Sequence, residues 1–160
     1  MREPDRRSPA YSIRPAKIGD LDALLALERT SFTTDHLSRR QYRKHLHSAT
    51  AAVLAAVDAS GLLGKAVVFF RHGSDIARLY SIAVADNARG RGIGEALLIA
   101  VEQISRAHGC TRLRLEVRMD NAGAIRLYER RGYSRFAARS GYYEDGADAW
   151  RYEKVLGEAG

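Results

Sequence analysis

The segment from Asp75 to His108 constrains the fold of this chain more than any other. A β-rich run with Ile76, Leu79, Ile82 and Val84 stops at Asp86-Asn87. A loop carrying Arg89, Gly90, Arg91, Gly92 and Gly94 follows. An amphipathic helix begins at once, with Ile93, Ala96, Leu97, Ala100, Val101 and Ile104 on one stripe, and Gly109 ends it. A strand that runs through a glycine loop into a helix N-terminus can hold a phosphate with backbone N–H groups. The first N–H groups of a helix lack internal partners, and the helix dipole places positive potential there. Glycine lets a ligand approach the backbone closely. Two arginines in the loop imply that more than one negative charge is held.

A chain of 160 residues fits one domain with a core large enough to need no disulfide or metal staple. The single Cys110 excludes an internal disulfide and a multi-cysteine metal site, and it suits a reducing, cytoplasmic setting. It opens a strand and reads as a small buried residue. His36, His45, His47, His72 and His108 show no metal spacing and read as surface residues, so no metal is expected. No apolar run approaches the ~20 residues of a membrane helix, and the charged N-terminus lacks the apolar segment of a secretory signal. The net charge is +7, and all but four of the 26 basic residues are arginine. They are spread along the chain without a long basic run or interleaved aromatics. That pattern argues against specific nucleic-acid binding and for attraction of an anionic cofactor or an acidic partner.

Residues 1–10 read as a disordered basic tail, followed by one domain over 11–157. Tyr11 to Arg14 predicts a strand. Asp20 predicts a helix N-cap, with Leu21, Leu24, Leu25 and Leu27 at helical spacing up to about Thr30. Ser38 to Gln41 matches a capping box, so a second helix is expected over Arg39 to His47. Ala51 to Val57 and Leu63 to Arg71 read as strands around an Asp58 to Gly61 turn. Leu113, Leu115 and Val117 alternate with Arg112, Arg114 and Glu116 in another strand. Asn121 caps a short helix through Arg131, closed by Gly132. Ser134 to Tyr142 and Asp148 to Val155 read as the last strands. The order is β-α-α-β-β-β-α-β-α-β-β. It describes an α/β layered fold with a mixed, mostly antiparallel sheet and one central β-α-β crossover.

The loop is not a nucleoside-triphosphate loop, because no Gly-Lys-Ser/Thr follows. It departs from the dinucleotide pattern G-x-G-x-x-G, because Glu95 occupies the third glycine position. What remains is Arg89-x-x-Gly92-x-Gly94. With Asn121-x-x-Ala124-Ile125-x-Leu127-Tyr128 and Gly132-Tyr133 downstream, the chain resembles the GNAT family of N-acetyltransferases. The closing GYYEDGADAWRYEKVL resembles the end of the bacterial ribosomal-protein alanine N-acetyltransferases. The likeness covers about Asp75 to Leu156 well and the first half by element order only. The segment SFTTDHLSRRQYRKHL departs from those enzymes, in the half that normally shapes the acceptor site.

The resemblance implies acetyl-CoA as co-substrate. It places the pantetheine arm along Ile82, Ala83 and Val84 and the pyrophosphate on Arg89, Gly90, Arg91, Gly92, Ile93 and Gly94. Asn121 becomes a pantetheine contact, a helix cap, or both. Tyr128 matches the family position that protonates the leaving thiolate and contacts the cofactor; by periodicity alone it is a packing residue. Glu116 aligns with the glutamate that acts as base; by its strand face alone it is a surface ion pair with Arg112, Arg114 or Arg118. Tyr80 and Ser81 are candidates for lining the acceptor tunnel, and Tyr142 and Tyr143 for a lip that receives a peptide.

The expected activity is acetyl transfer to a primary amine. A peptide α-amine, with an ordinary pKa of about 7.7–8.0, is already neutral to about a tenth or more at pH 7, whereas a lysine amine near 10.4 is neutral in less than about one part in a thousand. One carboxylate and a water therefore suit a protein or peptide N-terminus. The alternatives are a small amine such as a polyamine, amino acid or antibiotic, or a non-catalytic acyl-CoA-binding module. A monomer or a homodimer is compatible with the sequence.

Overall fold

The computed structural model describes residues 10–32 and 34–157. Residues 1–9 of the expected tail lie outside them. The strands are Ser12–Pro15 (β1), Ala51–Asp58 (β2), Gly61–Phe69 (β3), Ile76–Val84 (β4), Arg112–Arg118 (β5), Ser134–Arg139 (β6) and Ala149–Val155 (β7). The helices are Leu21–Ser31 (α1), Arg39–Leu46 (α2), Ile93–Ala107 (α3) and Ala122–Arg130 (α4). The strands form one sheet in the order β1-β2-β3-β4-β5-β7-β6. Among the described residues only β4 and β5 pair in parallel, and α3 makes the crossover between them. The expected α/β layered order is the observed one.

Strands β2 and β3 are buried on both faces, which explains their near-continuous apolar runs. Leu21 and Leu24 of α1, Leu37 before α2, and Tyr42 of α2 pack with Val53 and Val67 on one face. On the other, Leu97, Leu98 and Val101 of α3 pack with Leu54, Ala66, Val68 and Leu79. Cys110 is buried in that second cluster. The Ser38 capping box forms in both directions, with Gln41 N–H donating to Ser38 Oγ at 3.1 Å and Ser38 N–H donating to Gln41 Oε1 at 2.8 Å.

Two local expectations change. Asp20 stands at the N-cap of α1 but makes no capping bond. Its carboxylate accepts instead from Arg14 at 2.7 and 2.9 Å and from the Lys17 N–H at 2.7 Å, tying β1 to the helix start. The Arg14 guanidinium holds the Asp20 carboxyl below the usual aspartate range, against a smaller opposing effect of burial. The strand expected over Ser134 to Tyr142 stops at Arg139. Gly141 turns there with φ of 60°, and its N–H donates to Asp148 at 2.7 Å. Tyr142 and Tyr143 therefore belong to the β6–β7 turn rather than to a strand.

Candidate active site

The parallel pairing of β4 with β5 runs only from Ile76–Arg112 to Leu79–Leu115. Beyond Leu79, β4 keeps its partner β3 but has no strand on its other side among the described residues. A register shift against β3 leaves Tyr80 as an extra residue, with Val67 opposite Ser81 and Val68 opposite Leu79. Such a bulge bends a strand and re-aims its side chains. Here the stretch Leu79 to Ile82, with Tyr80 as the extra residue, borders one cavity.

Two cavities meet at this split, of about 530 and 450 Å³. They share Ser31, Phe32, Ile82, Asn121, Ala124 and Tyr128. The smaller one is lined by Ile82 to Val84 and by Arg89, Gly90, Gly92, Ile93 and Gly94. Gly90 and Gly92 adopt φ of 80° and 75°, a left-handed backbone that favours glycine. Gly94 does not, and a Cβ there would make only ordinary contacts at 3.7 and 3.8 Å with Val84 and Leu127. The fold itself does not require glycine at 94. Among the described residues, no protein acceptor takes the N–H groups of Gly90 through Glu95. These unpaired amides at the head of α3 form the kind of cradle that a pyrophosphate fits. The Arg89 side chain lies 3.3 Å from Asp86 and is 70% exposed. Arg91 turns from the cavity toward Asp58, at 3.5 Å, and lies over the Tyr11 ring.

Tyr128 sits on α4 and is buried, its ring edge-on to Tyr133 with centroids 5.8 Å apart. Its hydroxyl has no hydrogen-bond partner among the described residues, while the helix that carries it is fixed by Asn121, whose Oδ1 accepts the Ala124 N–H at 3.2 Å. Burial, with a lesser effect of Tyr143, pushes the Tyr128 phenol above its ordinary range. It stays protonated at neutral pH.

The larger cavity carries Tyr80, Ser81, Glu116, Tyr142 and Tyr143, so all the expected acceptor-side residues come together. Tyr142 and Tyr143 pack edge-to-face at 4.9 Å. Burial raises both phenols, with Glu116 the next cause for Tyr142 and Tyr142 the next for Tyr143. Glu116 differs from the surface ion pair expected with Arg112, Arg114 or Arg118. Its side chain is 5% exposed and lies between Arg78 Nε at 3.2 Å and Arg151 Nε at 3.4 Å. Arg112 and Arg114 are taken by Glu153, at 2.6 and 2.5 Å, and Arg118 by Asp145 at 2.6 Å. The cause is register. Arg151 stands directly opposite Glu116 on β7, and Glu153 opposite Arg114.

Sequence reasoning missed the floor of this cavity. Glu28 of α1 is 2% exposed and accepts from Lys65 Nζ, from the Tyr42 hydroxyl at 2.5 Å and from the Leu37 N–H at 3.1 Å. Lys65 is fully buried, also donates to Ser81 Oγ at 2.8 Å, and lies over the Phe32 and Tyr42 rings. A signal was present: Lys65 interrupts the apolar run LLGKAVVFF, and Glu28 falls on the stripe of Leu21 and Leu24. Asp35, with φ of 59°, accepts the Glu144 N–H at 3.3 Å and so joins the segment between α1 and α2 to the β6–β7 turn. His45 departs from the expected surface position, being half-buried against Phe69 with ring centroids 4.8 Å apart. Among the described residues, no three of His, Cys, Asp and Glu gather as a metal site, and no helix is long and apolar enough to cross a membrane.

One buried carboxylate and one buried, protonated phenol thus flank the junction of an anion cradle and a tyrosine-lined cavity. That arrangement can accept a proton on one side and donate one on the other. Residues 21–133 match the family model described as acetyltransferase (GNAT) family. An N-alpha-acetyltransferase of Sulfurisphaera tokodaii is 28% identical over 91% of this chain and 93% of its own length. The crystal structure of Ard1 from Thermoplasma volcanium superposes with a TM-score of 0.84 at 26% identity, covering 93% of this chain and 99% of that one. The ribosomal-protein-S18-alanine N-acetyltransferase from Escherichia coli superposes with a TM-score of 0.82 at 27% identity, covering 94% and 96%.

Proposed function

The chain belongs to the GNAT acetyltransferase family, acetyl-CoA-dependent acyltransferases, and from that premise we propose that it acetylates the free α-amine of a protein or peptide N-terminus. Acetyl-CoA supplies an activated thioester and a leaving thiolate. The amides of Gly90 through Glu95, with Arg89, hold its pyrophosphate, and Gly94 gives it clearance. The edge of β4 from Ile82 to Val84, which lacks a strand partner, bonds the pantetheine arm and polarises the thioester carbonyl. Asn121 contacts the same arm while capping α4. Arg91 contributes long-range charge to that site while its side chain rests on Asp58.

Glu116 takes the proton that the attacking amine must lose, directly or through one water. Tyr128 donates its proton to the sulfur as the C–S bond breaks. A phenol is ordinarily a weaker acid than a thiol by about 1.5 pKa units, and burial weakens it further, so this donation is concerted with bond breaking. Tyr80, Ser81, Tyr142 and Tyr143 line the acceptor's path. The observation that carries the reading is Tyr128, which lines both cavities and whose hydroxyl has no hydrogen-bond partner among the described residues, with Glu116 on the tyrosine-lined side. The α-amine reading is supported by a proton acceptor assigned to Glu116 alone, since Glu28 on the cavity floor is already held by Lys65 and Tyr42, and by the likeness to enzymes named for N-alpha and S18-alanine acetylation. The test is thiol release from acetyl-CoA with peptides of varied first residue, the same peptides blocked at the N-terminus but carrying an internal lysine, and polyamines. Turnover should require the free N-terminus. Equal or faster turnover of the blocked lysine peptides or the polyamines overturns the assignment.

A further inference from the structure

A single guanidinium joins the acceptor-side groups. Arg78 lies on β4, two residues before the bulged Tyr80. Its Nε donates to Glu116 Oε2 at 3.2 Å, and its Nη2 donates to the Tyr142 hydroxyl. Its guanidinium lies over the Tyr80 ring, 6.0 Å from the centroid. Two strands and the β6–β7 turn meet on it, through partners 38 and 64 residues away in the chain.

The two oxygens of Glu116 are not equivalent. Oε2 accepts the Arg78 bond. Oε1 has Arg151 Nε 3.4 Å away as an ion-pair contact, yet that Nε has no hydrogen-bond partner among the described residues. The last torsion of a glutamate is broad, so a carboxylate fixed only by charge turns easily. The directed Arg78 bond removes that freedom and leaves Oε1 as the oxygen without a hydrogen bond among the described residues. The other arginines beside Glu116 on β5 cannot replace it, because Glu153 and Asp145 hold them.

We propose that Arg78 is a positioning residue for acetyl transfer, which presents Glu116 Oε1 to the acceptor amine and holds Tyr142 as a wall of the acceptor's entrance. The inference rests on the reading of Glu116 as proton acceptor. Arginine suits the task because its planar fork serves two partners along two N–H directions, whereas lysine offers one nitrogen. Glu116 is 5% exposed, so a merely structural role acts on folding stability, which denaturant unfolding reads, and does not produce a kcat loss that disappears when Glu116 is replaced.

The test uses Arg78→Gln and Arg78→Lys, Tyr142→Phe, and Arg78→Gln combined with Glu116→Gln, with steady-state rates on an N-terminal peptide and calorimetric acetyl-CoA affinity. Arg78→Gln should lower kcat by ~10-fold or more and raise the peptide KM several-fold, with acetyl-CoA affinity within ~2-fold of the parent. Tyr142→Phe should reproduce the KM rise alone. Arg78→Lys should recover most of kcat by keeping one N–H donor on Glu116, but not the KM, because no second donor remains for Tyr142. In the Glu116→Gln background the kcat cost of Arg78→Gln should shrink to less than ~2-fold, because the two residues act as one unit. An equal cost in both backgrounds overturns the positioning role and leaves the assignment of Glu116 standing. An unchanged kcat for Glu116→Gln alone overturns that assignment and the proposal with it.

Discussion

Tyr128 lines both cavities, and its ring is packed edge-on against Tyr133. Phenylalanine keeps that ring and its packing and removes only the proton donor. Tyr128→Phe is therefore expected to lower kcat by ~10²-fold or more while leaving acetyl-CoA affinity within ~2-fold, read by steady-state kinetics beside calorimetry. An unchanged kcat would remove the acid role. At this scale the sequence was most informative where chemistry is local. The glycines at 90 and 92 announce a loop open to a ligand, which the structure builds with a left-handed backbone, and Asn121 announces a helix start, because both depend on near neighbours in the chain. The partners of Glu116 were not legible, because strand register decides them. Arg112, Arg114 and Arg118 share its strand face, yet Arg78 and Arg151, on the neighbouring strands, hold it.

Helix α3 can deliver its N-terminus to the site because it lies unusually close to the sheet at Gly64. A Cβ at that position would stand 2.9 Å from the Ala83 carbonyl oxygen, 3.1 Å from Leu97 Cδ1 and 3.2 Å from Ile93 Cγ2. The backbone oxygen cannot give way without shifting β4. Gly64→Ala should destabilise the protein by roughly 1–3 kcal/mol in chemical denaturation and weaken acetyl-CoA binding, since Ala83 and Ile93 border the cofactor-side cavity. Gly94→Ala, where a Cβ meets only ordinary contacts, should unfold like the parent while losing acetyl-CoA affinity. Stability loss with full affinity for Gly64→Ala would separate the helix seat from the cofactor seat. The elements themselves were legible from periodicity, including the alternation of Leu113, Leu115 and Val117. The bulge at Tyr80 was not, because an extra residue in one strand is defined only against its neighbour.

For the molecule as a whole, the buried Glu28–Lys65 pair joins the two N-terminal helices to the sheet. Glu28 holds Tyr42 of α2 and the Leu37 amide, and Lys65 reaches Ser81 on β4. Removing one partner strands a charge in an apolar interior. Glu28→Gln or Lys65→Met should each cost about 3–5 kcal/mol in denaturant unfolding, and Glu28→Leu with Lys65→Met should recover most of that loss. Independent, additive costs would show that the two charges do not act as a pair. These residues lie 37 apart in the chain, which is why composition and spacing could not bring them together. The two cavities described above meet along Ser31, Phe32, Ile82, Asn121, Ala124 and Tyr128, and that geometry bears on how such a protein can change over generations. Tyr80, Tyr142 and Tyr143 line one cavity and the loop from Arg89 to Gly94 the other, so on the proposed function a change in the first set would alter which customer is admitted without touching that loop. A lineage can retarget this molecule by rewriting its receiving side, with the dispensing side inherited unchanged.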